Sequence, residues 1–126
     1  MKTVFRLAAW LCVAIIVALS LLPSDSMART GADSRLEHAM AYAGTAFFVG
    51  LGYLEEEHWA TLAGLMAALA GAMELLQHFS PGRHPAFADF AASSLGALIG
   101  LAVAWRATKM CSFKRLQSVI RLKPDV

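Results

Sequence analysis

The chain has 126 residues, 58% of them hydrophobic and only 16% charged, with a mean hydropathy of +0.56 and a formal net charge of +2. Soluble domains average about 45–50% apolar and ~25% charged residues, so this chain has too little polar surface to wrap an ordinary water-soluble core. The net charge hides an asymmetry: from Arg106 onward there are six bases against one acid, a tail of +5, and the rest of the chain sums to −3.

The apolar residues fall into four blocks, with no internal repeat and no strand-like alternation, which predicts an all-α polytopic membrane protein, a single bundle of four transmembrane helices. The first block runs from Leu7 to Leu22, and Val4 and Phe5 extend it to a spanning length of about 4–22. Its length also suits a secretory signal peptide, with Ser26-Met27-Ala28 as the cleavage site; the expectation here is a retained helix. The second block covers about 36–54, with Tyr53 near its end, and the third 59–76, rich in Ala, Gly and Met. The fourth covers about 87–105, with Asp89 near its start, and residues 106–126 form a basic tail. Trp59 and Trp105 lie at block edges, where amphipathic aromatics mark the membrane interface. The connections are short: 23–35, then Glu55 to His58, then 79–86, whose two prolines and glycine break any helix.

Orientation follows the Lys/Arg bias. With the N-terminus inside, eight lysines and arginines lie on the inner side and three (Arg29, Arg35 and Arg83) on the outer side. This predicts a multi-pass protein of a bacterial inner membrane with both termini cytoplasmic. The tail then faces anionic headgroups; with no aromatic interleaving or base-reading motif, nucleic acid is not expected as a partner. Cys12 and Cys111 have no neighbours at metal or redox spacing.

That topology gathers polar residues at the outer face. Glu74, Gln77 and His78 stand at i, i+3 and i+4 near the end of the third block and share a helix face. His38, Tyr42 and Thr45 form a stripe on the second block, and Asp89 and Ser93 one on the fourth. Ala92, Gly96 and Gly100 form a small-xxx-small ladder that admits a close helix neighbour. Acids this near hydrocarbon must be paired or wet, and Arg83 is the evident partner, because its guanidinium can grip a carboxylate bidentately. Three readings stay open: a salt-bridge clamp, a pocket for a polar headgroup with Arg83 binding phosphate or carboxylate, and hydrolytic or transferase chemistry with Glu74 or Asp89 as base and His78 as shuttle. No nucleophile, HExxH or P-loop motif supports the last. Of the four histidines, His38, His78 and His84 fall on the outer side, in no metal-ligand pattern, so neither a metal nor another cofactor is expected.

These residues resemble the VanZ-like integral membrane proteins, from Trp10 to Gly100. The resemblance centres on ELLQHFSPGR (Glu74 to Arg83) and DFAASSLGALIG (Asp89 to Gly100), to which Glu74, Gln77, Phe79, Pro81, Gly82, Arg83, Asp89, Gly96 and Gly100 contribute. His38 with Tyr42, and Leu19 and Ser20 with Pro23, match its earlier elements. Ser93 stands where that family usually has Asn, which puts an amide-specific contact there in doubt. The resemblance implies a four-helix inner-membrane protein of a family whose founding member is associated with teicoplanin resistance. It makes binding or modulation of an envelope component, such as a lipid or lipid-linked precursor, the expected function. Glu74, Gln77, Arg83 and Asp89 are its first candidate residues, with His38 and His78 second. A membrane enzyme acting on a lipid-linked substrate and a structural membrane subunit are the alternatives. Oligomeric state is left open.

Overall fold

The apolar blocks fold as helices and the breaks fall where the sequence changes character. The computed structural model of the chain describes residues 1–22, 33–54, 58–80, 82 and 86–121, with side chains described as far as Phe113. It holds α1 (Lys2–Leu21), α2 (Ser34–Tyr53), α3 (Trp59–Gln77) and α4 (Phe87–Arg121), and no strand among the described residues. Helix α1 stops at Leu22, which turns extended (ψ 138°). Pro23 follows, and a residue before proline is pushed out of the helical region. Helix α2 starts on Asp33, whose side chain accepts from the Arg35 backbone N–H at 3.0 Å, satisfying one of the orphan donors of a first turn. After α3, Gly82 adopts φ 75°, a left-handed backbone that favours glycine; this gives the glycine of the Pro-Gly-Arg segment a conformational reason.

Helices α1, α3 and α4 are long and apolar enough to cross a membrane. Helix α2 has the length, at 20 residues, but is less apolar, because Glu37, His38, Tyr42, Thr45 and its glycines interrupt its aliphatic residues. α2 packs most extensively on α4 and next on α1, while α3 closes the ring against α4 and α1. Helices α1 and α4 do not meet among the described residues, and α2 and α3, though consecutive in sequence, barely touch. α2 is therefore flanked by two apolar neighbours.

The α2–α4 contact is a backbone-to-backbone approach. A Cβ added to Gly96 would overlap the Ala39 carbonyl oxygen, one on Gly100 the Ala43 carbonyl oxygen, and one on Gly50 the Ala104 methyl. These pairs advance together along both chains, so α2 and α4 run parallel. Ala92, one turn before Gly96, is half-buried. The core between the helices consists of Ile16, Tyr42, Ala46, Leu62, Met66, Ala70, Met73, Ala97 and Leu101. Outside it the surface is apolar: Leu7, Leu11, Ile15 and Leu19 on α1, Leu65 on α3, and Leu95, Ile99 and Val103 on α4 are exposed. No more than 33% of any of the three apolar spans is buried in the bundle, so most of each span requires an apolar solvent, which a bilayer supplies.

Helix α4 extends beyond its apolar span. The apolar block ends at Trp105, but the helix continues through the basic segment to Arg121, 35 residues in all. At 1.5 Å per residue it is roughly 52 Å long, against ~30 Å for a hydrocarbon core. Charged side chains end an apolar stretch without ending a helix, and no Gly or Pro interrupts the sequence between Gly100 and Pro124.

Candidate functional site

One end of the bundle gathers the C-termini of α1 and α3 and the N-termini of α2 and α4. Three side-chain links define it. Ser80, just beyond α3, points its hydroxyl at the carbonyls of Leu21 and Leu22, each at 3.4 Å, covering the open end of α1. Glu74 Oε1 accepts the backbone N–H of Ala86 at 2.6 Å, so an acid of α3 caps the start of α4. Ser34 Oγ donates to Asp89 Oδ2 at 3.4 Å, joining α2 to α4. That last distance is long for an O–H···O bond, so it orients Asp89 more than it secures it.

His38 belongs to the same group. Its Nδ1 lies 2.8 Å from the Ser34 carbonyl oxygen and 3.5 Å from Ser34 Oγ. A carbonyl only accepts, so Nδ1 carries the hydrogen, and Nε2 of the neutral ring is an acceptor. Below His38 the stripe turns inward: Tyr42 is 3% exposed and Thr45 2%. Thr45 Oγ1 donates back to the Ala41 carbonyl at 2.8 Å. Asp89 sits in the first turn of α4, where the unsatisfied N–H groups and the helix dipole favour a negative charge.

The sequence-predicted residues are thus placed as follows. His38, Glu74 and Asp89 are half-buried at one end, linked through Ser34 and Ala86, and Gln77 is buried at 5% exposure. Ser93 is buried at 2%. His78, the C-cap of α3, is exposed. Arg83 and His84 lie outside the described residues. Among the described residues no group of three or more His, Cys, Asp or Glu is placed to hold a metal. Cys12 and Cys111 are free thiols.

Two contributors escaped the sequence reading. Ser34 lies one turn before His38 on the same stripe, so extending that stripe by four residues would have found it. The Ala86 N–H had no sequence signal, because it is a backbone donor reached across a loop. The opposite end of the bundle is also organised: Arg6 Nε donates to the Gly52 carbonyl at 3.0 Å, its guanidinium stacks on the Tyr53 ring at 4.7 Å, and Trp10 Nε1 donates to Tyr53 Oη at 3.1 Å.

No family model matches the chain, and neither a curated protein nor a solved structure is significantly similar to it.

Proposed function

We propose that the chain is a VanZ-like protein whose four helices all cross a bacterial inner membrane, with both termini in the cytoplasm and the polar cluster at the outer leaflet. The cluster binds the anionic group of an envelope component, a lipid or lipid-linked molecule. The observation that carries this reading is the convergence of Ser34 and His38 of α2, Glu74 of α3 and Asp89 of α4 on one end of an otherwise apolar bundle. Arg83, six residues before Asp89, supplies the planar fork that suits phosphate or carboxylate, while His38 and Gln77 provide further polar contacts. The VanZ-like assignment rests on the segments Glu74 to Arg83 and Asp89 to Gly100.

A second reading is favoured by two contacts. The Glu74–Ala86 and Ser80–Leu21 contacts tie helix ends together, as a structural clamp would. The two readings separate by photo-crosslinking. Phe79, 82% exposed beside the cluster, is replaced by benzoylphenylalanine and irradiated in intact cells. A binding site gives adducts enriched in one phosphate- or carboxylate-bearing lipid species, and Arg83→Ala abolishes the enrichment. A clamp gives adducts that mirror bulk phospholipid and do not change in Arg83→Ala.

A further inference from the structure

A cavity of about 450 Å³ opens between α1, α2 and α3, well away from the polar cluster. Ala9, Trp10 and Val13 form one wall, Val49 and Tyr53 the back, and the face of α3 from Thr61 to Leu69 the other wall. It exists because α1 and α3 make only a slight contact where the ring closes. Both flanking helices are apolar enough to span a membrane, so the mouth faces hydrocarbon, and an apolar void of this size beside a fluid bilayer is filled by it. The filler is narrow. From Thr61 to Leu69 the groove runs roughly 12 Å along the axis, and a helix with its side chains, about 10–12 Å across, does not fit a volume this small. A single acyl chain does.

The end of the groove is marked. Tyr53 and Trp10 bond to each other there, and the Arg6 guanidinium is held over the Tyr53 ring by the Gly52 carbonyl. Arg6 brings positive charge, and Trp and Tyr sit by preference at headgroup depth. We infer that this groove is a lipid site, holding one acyl chain of a glycerophospholipid along Val13, Leu65 and Leu69, with the phosphate near Arg6, Trp10 and Tyr53. The inference rests on α1 and α3 lying in a membrane and is independent of the ligand proposed for the polar cluster.

The test reconstitutes the full chain in nanodiscs containing equal amounts of phosphatidylglycerol and chain-matched diacylglycerol, then releases it into mild detergent for native mass spectrometry. Wild type retains phosphatidylglycerol in preference to diacylglycerol. Leu65→Trp and Thr61→Trp, which fill the groove from its exposed rim, lose both lipids, whereas Ala68→Trp, an exposed α3 position outside the lining, retains them as wild type does. Arg6→Gln retains lipid without the headgroup preference, and Asp89→Asn changes nothing in this assay. A thermal melt of each variant identifies misfolding, and having two groove-filling positions leaves one readable if the other fails to fold. The site is refuted if wild type retains no lipid, or if a folded groove-filling variant retains as much as wild type. Equal retention of the two lipids by wild type refutes the phosphate contact.

Discussion

Glu74 shows how one side chain carries two meanings. In sequence it is an acid in an apolar helix, near the end of a face shared with Gln77. In space its carboxylate reaches the Ala86 N–H at 2.6 Å. A hydrogen bond to a charged group contributes about 1.5–3 kcal/mol, so Glu74→Ala should lower stability in detergent by about that amount, read as a drop in the melting midpoint. Glu74→Gln keeps a neutral acceptor, worth about 0.5–1.5 kcal/mol, and should lose less; equal losses in both variants would mean that charge, not the acceptor, is what matters. At Arg83, Lys keeps the charge but loses the planar fork. Arg83→Lys should therefore weaken crosslinking enrichment at Phe79 while leaving stability intact, and Arg83→Ala should abolish the enrichment. Wild-type behaviour of both variants would remove Arg83 from the site. Much of the cluster was legible at this scale, because i, i+3 spacing assigns residues to a face wherever the helix persists. His78, at i+4 from Glu74, keeps helical dihedrals (φ −60°, ψ −26°) as the C-cap of α3, and its side chain is exposed.

Between elements, the deciding contact is α2 against α4. The ladder of Gly96 and Gly100 was visible in the sequence as small residues four apart, but its partner was not. The structure sets it on Ala39 and Ala43 of α2. The obstacle at both positions is backbone, which cannot rotate away as a side chain can. Gly96→Ala and Gly100→Ala should each destabilise the protein by at least about 1–3 kcal/mol, whereas Gly64→Ala, with nothing within 4 Å of its added Cβ, should be neutral by the same melt. The modest apolarity of α2 has its own consequence. Carried alone as a test segment in a membrane-insertion reporter, α2 should insert less completely than α1 or α3, because its polar stripe then faces lipid rather than helices; insertion as complete as that of α1 would contradict this. Hydropathy delimits the apolar span of α4 but does not report that the helix continues through Arg106 and Lys109.

At the scale of the whole molecule, the helix ring places unlike chemistry at its two ends and an apolar surface between them. The end with Ser34, His38, Glu74 and Asp89 is polar and acidic. The other holds Arg6, Trp10 and Tyr53, and α4 continues from that side as a basic helix. The four blocks and their helical character could be read from composition, but the ring order could not. Nothing local dictates that α2 should neighbour α4 rather than α3; that follows from which faces admit close approach. The groove between α1 and α3 is a product of this order and was equally invisible. The function proposed for the polar cluster depends on the chain crossing the membrane between the two ends, with the polar end outside; the groove site needs only the crossing. Cysteine accessibility tests this directly, in a background lacking Cys12 and Cys111. Phe79→Cys and His58→Cys place single thiols at exposed positions at opposite ends of α3. In intact spheroplasts an impermeant maleimide should label Phe79→Cys and spare His58→Cys until the membrane is permeabilised. Labelling of both before permeabilisation, or of His58→Cys alone, would contradict the account.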